Sequence, residues 1–167
     1  MPTVDSYRYL DKLTGQMVKS WIKQEAPREI PWTPLTKPLS DCTVALLSSG
    51  GIALTSQPPF DQETERQNPW WGDPSYRVIP RTATAKEIRV CHLHINPTFA
   101  EEDLNCLLPV EWLRELEQTG EIGRSAASHY SIMGYILQPE ELLAESTPAI
   151  IRHLQKEAVD ILILVPT

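Results

Sequence analysis

The chain has 167 residues, 41% of them apolar, and a net charge of −7. That length and apolar content suffice for one domain with its own core and exclude a disordered chain. The acidic balance, with Arg114, Arg124 and Arg152 scattered singly, excludes a phosphate-binding stripe and hence a nucleic-acid partner.

No stretch approaches the roughly 20 apolar residues of a membrane span. The start, from Met1 to Arg8, has no apolar signal core. No membrane partner is expected, and the sequence reads as cytoplasmic. Cys42, Cys91 and Cys106 form no CxxC pair, so reduced and mostly buried thiols are expected, with Cys91 and Cys106 in the core.

Residues 7–25 carry Leu10, Leu13, Met17, Val18, Trp21 and Ile22 at helical spacing, and Pro27 ends the run. Prolines then crowd between Pro27 and Pro38, which predicts an extended strap. Thr43–Leu47 reads as a buried strand, with Ser48, Ser49, Gly50 and Gly51 directly after it. Residues 55–75 read as a loop, because Pro58, Pro59, Pro69 and Pro74 punctuate them. Tyr76–Ile79 and Ile88–His94 read as strands. Pro109 opens a helix that runs through Gln118 and stops at Gly120. Residues 120–138 show no clear element. Pro139 opens a further helix, with a break at Thr147–Pro148 and Thr147 as the cap of the second half. Val159–Val165 reads as a fully buried strand.

Strands alternating with helices predict an α/β fold: three layers, a mainly parallel sheet with flanking helices, preceded by an N-terminal helix and proline-rich strap. The expected division is residues 1–40 for helix and strap and 41–167 for the α/β domain. Ligands in such folds bind beyond the carboxyl ends of the strands. The last strand is followed only by Pro166 and Thr167. A natural C-terminal strand and an incomplete domain fit that pattern equally well.

Several residue groups could carry chemistry. Ser48–Gly51 could cradle an anion with backbone N–H groups or simply form a tight turn. His92 and His94, two apart on a predicted strand, would share one face. With Asp103 nearby in sequence they could bind zinc or iron, transfer protons or line a cleft. A small metalloprotein using His92, His94 and His129 is one candidate reading. Asp103 and Asn105 could equally cap or turn the chain. The Gly-flanked stretch with His129, Tyr130, Ser131 and Tyr135 suits a substrate loop or a plain surface loop. Trp70 and Trp71 would be costly if exposed, so they are expected to dock on a neighbour or cover a pocket.

Read in order, these segments resemble a known family. VALLSSGGIAL (44–54), PPFD (58–61), SYRVIPR (75–81), CHLHINPTFAEEDLNCLLPVEWLRELEQTGEIG (91–123), HYSIMGY (129–135) and VDILILVPT (159–167) follow the order of the glycine/sarcosine/betaine/D-proline reductase family, selenoprotein B type. The resemblance covers about residues 40–167. It implies an oxidoreductase that reductively cleaves a carbon–nitrogen bond of a small amino acid: glycine, a methylated glycine or D-proline. It implies a partner subunit with a pyruvoyl carbonyl and a thioredoxin-like electron donor. This subunit type supplies a selenolate, or a thiolate in cysteine versions, and no other cofactor is expected in this chain. The resemblance places the selenocysteine or cysteine directly after a strand like ILILVPT. The selenocysteine codon is also a stop codon, so a chain ending at Thr167 reads as truncated before its nucleophile and inactive as written. His94, His129 and Asp103 fall on the family's polar motifs as proton handlers. Ser49, Gly50 and Gly51 fall where the substrate carboxylate would be met, and Asn105 and Tyr135 where it would be oriented. A non-catalytic binding or assembly subunit is the alternative.

Overall fold

The computed structural model describes residues 10–24, 33–68 and 70–167, without the side chains of Trp21 and Gln24. The expected helix ends at 7–9 and 25, and the strap from 27 to 32, lie outside these residues. The chain forms two compact units, Met1–Pro34 and Leu35–Thr167. In the first, α1 spans Lys12–Gln24. Asp11 caps it, its Oδ1 accepting the N–H groups of Leu13 at 2.9 Å and Thr14 at 3.0 Å. No helix among the described residues is long and apolar enough to cross a membrane.

The second unit is an α/β domain built around β1, Thr43–Ser48. One flank of β1 pairs from Val44 to Ser48 with β7, Ile161–Val165. The other flank takes two short strands in succession. β5, Arg124–Ser125, pairs with Thr43 and Val44, and β6, Ser128–Ser131, pairs with Leu47 and Ser48. All three pairings are parallel. β3, Arg77–Pro80, adds an antiparallel strand outside β6. A separate antiparallel pair joins β2, Ile52–Leu54, to β4, Ile88–Val90.

Side chains alternate across a strand, so β1 feeds two faces. Val44 and Leu46 enter the main core with Leu108, Val110 and Leu113. The last two come from α4, Val110–Gln118. Leu47, on the opposite face, lines a cavity of about 280 Å³ with Leu162, Leu164 and residues of α5, Thr147–Lys156. Helices thus cover both faces of a mainly parallel sheet, as expected.

The structure corrects several expectations. Residues 120–138 hold β5 and β6, two of the strands paired with the central one. Their inward side chains are polar, so no apolar run announces them: Ser131 Oγ accepts the Ile52 N–H at 2.7 Å, and His129 Nδ1 accepts that of Leu46 at 3.2 Å. The 55–75 loop contains α2, Gln62–Gln67. Asp61 caps it, accepting the Thr64 N–H at 2.9 Å. A five-residue helix, α3, spans Thr98–Glu102. The helix after Pro139 does not break at Thr147–Pro148. A π-helical turn over Leu142–Ser146 runs straight into α5, with Thr147 in helical geometry rather than capping. The wider turn relieves the clash and the missing donor that Pro148 would bring to a regular α-turn. The last strand is not fully buried: it is an edge, with Ile163 42% and Leu164 65% exposed. Cys106 is exposed, whereas Cys42 and Cys91 are buried. Trp70 is exposed too.

Arg77 pins the segment 58–76 to the sheet. Its Nε and Nη2 each donate at 2.9 Å to the carbonyls of Pro58 and Pro59, and Nη1 donates to Ser75 Oγ and the Tyr76 carbonyl. The guanidinium also lies 4.2 Å above the Phe60 ring. Arg77→Met is expected to cost about 1–3 kcal/mol, since the part-buried Tyr76 carbonyl, the Ser75 hydroxyl and the exposed carbonyls of Pro58 and Pro59 lose a charged donor together. The urea midpoint of unfolding checks it; a shift equivalent to under about 1 kcal/mol would mean that water replaces the guanidinium freely.

Candidate functional site

The carboxyl ends of β1, β6 and β7 converge. Ser49 follows β1, and its N–H donates to the Val165 carbonyl at 3.0 Å. Its Oγ accepts the Thr167 N–H at 2.8 Å. Gly134, after β6, closes on the same spot. A Cβ there would lie 2.8 Å from the Ser49 carbonyl oxygen, 3.1 Å from His92 Nε2 and 3.3 Å from Ser49 Oγ. Only glycine lets these three chain segments meet so closely.

Beside this junction sit His92, His94, Tyr135 and Glu65. The two histidines are not on a strand, because β4 ends at Val90 and Leu93–His94 form a turn. The turn nevertheless brings their rings together, edge to face with centroids 5.8 Å apart. The His94 N–H donates to His92 Nδ1 at 3.1 Å. His92 Nδ1 is therefore the acceptor nitrogen, and the proton of the neutral ring sits on Nε2. That Nε2 is buried and has no hydrogen-bond partner among the described residues. Burial, and then the charge of His94, lower the His92 pKa and keep the ring neutral. His94 is half exposed. Its ring lies 4.4 Å from that of Tyr135, and its Nε2 is 2.8 Å from Glu65 Oε1. Glu65, on α2, is 3% exposed.

The expected site residues therefore separate. Ser49, His94 and Tyr135 lie at the strand ends. Gly50 and Gly51 lie there too, but the anion cradle does not form. The N–H groups of Ser49, Gly50 and Gly51 are already spent on Val165 O, Ser48 Oγ and Ile132 O. Asp103 and Asn105 serve the turn before α4. Asp103 Oδ1 accepts the Asn105 N–H at 2.9 Å, and Asn105 Oδ1 accepts the Glu111 N–H at 3.2 Å. Glu65 went unrecognised in the sequence, since one and a half turns of helix inside a proline-punctuated segment leave no apolar period. Among the described residues no three His, Cys, Asp or Glu side chains are grouped to hold a metal ion. His129 in particular stands apart from the other two histidines.

His129 is fully buried between β6 and β1, and both ring nitrogens are engaged: Nδ1 by Leu46 N–H and Nε2 by Ser125 Oγ at 3.2 Å. Burial first, and then the charge of Arg81, push its pKa down to about 4, against the opposing pull of Glu157. In the unfolded chain the ring titrates near its ordinary value, so that state binds the extra proton between about pH 6.5 and 4. Stability is accordingly full above the unfolded pKa and falls by about 3 kcal/mol as the pH drops to about 4. Urea unfolding across this window checks it. His129→Gln is expected to be less stable at pH 7 and to show a shallower slope between about pH 6.5 and 4, with His92 contributing to the remainder; a variant with the full wild-type slope would assign the proton elsewhere.

The sequence profile of the glycine/sarcosine/betaine reductase selenoprotein B family matches residues 7–167. D-proline reductase subunit gamma of Acetoanaerobium sticklandii is 32% identical over 133 residues, 80% of this chain and 52% of that protein. Glycine reductase complex component B subunit gamma of Carboxydothermus hydrogenoformans is 29% identical over 156 residues, covering 93% of this chain and 35% of that protein. Betaine reductase complex component B subunit beta of Peptoclostridium acidaminophilum is 25% identical over 158 residues, 95% of this chain and 35% of that protein. The chain thus spans between about a third and about half of the length of these relatives. No solved structure matches it. The histidine pair, the serine–glycine turn and the closing strand all lie inside one profile match, and the chain belongs to the glycine/sarcosine/betaine reductase selenoprotein B family, whose members are subunits of reductase complexes.

Proposed function

We propose that this chain forms the pocket around the nucleophile in a selenol- or thiol-dependent reductase subunit that cleaves a carbon–nitrogen bond of glycine, an N-methylated glycine or D-proline. The observation that carries this reading is the convergence of Ser49, Gly134 and Thr167 beside the buried, unpartnered Nε2–H of His92. A selenolate or thiolate continuing from Thr167 supplies a nucleophile that remains ionised near neutral pH. An anion needs donors, and His92 offers a neutral ring whose one free donor points to this junction. Ser49 Oγ holds the backbone of Thr167 in place, and Gly134 leaves the room that a side chain would fill. His94, half exposed between Tyr135 and Glu65, is placed to handle a proton. A pyruvoyl-bearing partner subunit and a thioredoxin-like donor complete the proposed system.

The test starts with the DNA after the codon for Thr167. An in-frame UGA or cysteine codon with open frame beyond it is the expected result. The full frame, produced with its partner subunit, should then release amine from one of these substrates in a dithiol-dependent assay. An ordinary stop with no frame beyond it, or a complex that binds amino acid without releasing amine, would replace catalysis by a binding or assembly role.

A further inference from the structure

Glu65 is the one buried residue of α2. A helix that needed only an anchor would bury an apolar side chain, as α4 does with Val110 and Leu113. A buried carboxylate costs several kcal/mol unless it is paired. Among the described residues, the one hydrogen-bond partner of the Glu65 side chain is His94 Nε2, at 2.8 Å, and Oε2 has none. The His94 ring is thus held at one edge by Glu65, against Tyr135 at 4.4 Å, with the His92 ring 5.8 Å away. Among the described residues, those three are the titratable groups in contact with the ring. With Glu65 ionised, Nε2 must carry the proton that bonds its oxygen. Nδ1 makes no hydrogen bond to a described residue, and the side chain is 49% exposed.

We propose that Glu65 is a positioning residue that fixes His94 as its Nε2–H tautomer and leaves Nδ1 as the atom that delivers a proton to the departing nitrogen. The inference rests on the reductase reading above. In the step it serves, carbon bonds to the selenolate or thiolate as the carbon–nitrogen bond breaks. The electron pair of the broken bond stays on nitrogen, which takes the Nδ1 proton of the imidazolium form of His94. The ring left behind is neutral and keeps its Nε2 proton on Glu65. This is the orienting role a carboxylate plays behind a catalytic imidazole, without itself accepting the proton.

The experiment uses the complete subunit in its complex, with Glu65→Ala and Glu65→Gln. Nitrogen-15 spectra of the histidine side chains should show the neutral His94 ring in essentially one tautomer, protonated at Nε2, in the wild type. In Glu65→Ala that preference should dissolve into a mixture, and kcat should fall about 10- to 100-fold with KM changed by less than about 3-fold. Glu65→Gln keeps the volume and an acceptor oxygen, so it should retain the tautomer and recover part of the rate. An unchanged tautomer in Glu65→Ala, or a wild-type kcat despite its loss, would overturn the proposal. If the wild-type complex releases no amine, the reductase reading fails instead, and the spectra still decide whether Glu65 sets the tautomer of His94.

Discussion

Gly72→Ala is expected to destabilise the domain by more than about 4 kcal/mol, enough to unfold a typical domain of this size or leave it marginal. A Cβ at Gly72 would lie 1.8 Å from the carbonyl oxygen of Tyr135, 2.9 Å from its carbonyl carbon and 3.2 Å from the Cα of Ile136. All three are backbone atoms, so no side chain can swing aside to make room. The two segments must part, which takes Tyr135 away from the His94 ring it packs against at 4.4 Å. The variant should therefore lose the site together with its stability. Gly120→Ala is the natural control. Its Cβ would meet nothing within 4 Å, and only the positive φ of 75° penalises it. That strain is worth about 1 kcal/mol. Urea unfolding of the two variants side by side checks the contrast, and equal losses would show that the close approach at Gly72 relaxes easily.

The second large effect is expected at His92. On the reductase function proposed above, His92→Asn should lower kcat about 100-fold in the subunit assembled with its partner, while leaving the fold intact. The Asn side-chain oxygen can take the place of Nδ1 and accept the His94 N–H, so the turn is preserved. What disappears is the Nε2–H, the donor that has no partner among the described residues. Leaving such a donor unmatched costs about 1–3 kcal/mol in a folded protein. In the proposed function the selenolate or thiolate accepts that bond and offsets the cost. Loss of one preorganised donor to a reacting anion typically lowers kcat by 10²–10³. Steady-state amine release, with thermal unfolding as the check on folding, measures both halves of the expectation. A variant within about 3-fold of the wild-type kcat would remove His92 from the surroundings of the proposed nucleophile.

The sequence was most legible where apolar runs and helix punctuation coincide. Thr43–Leu47 announced the central strand, and Pro109 with Gly120 bracketed α4 closely. Ser49, His94 and Tyr135, to which the family resemblance assigned substrate contact or proton handling, lie at the same end of the sheet. Apolar runs and turn residues thus mark the α/β class and the central strand, because burial and turn chemistry leave local signals. The remainder emerges only on folding. β5 and β6 look like polar loop in the sequence, since Ser125, His129 and Ser131 become core residues only once the assembled fold supplies their hydrogen-bond partners. The same bonds take His129 out of the site, although its residue type suggested a proton donor. Glu65 enters the site for the converse reason. Nothing in its neighbours along the chain marks it, and its role arises from one long-range contact, with a histidine 29 positions away. Periodicity records which face of an element meets the core, but a hydrogen bond between distant segments leaves no trace in either segment alone.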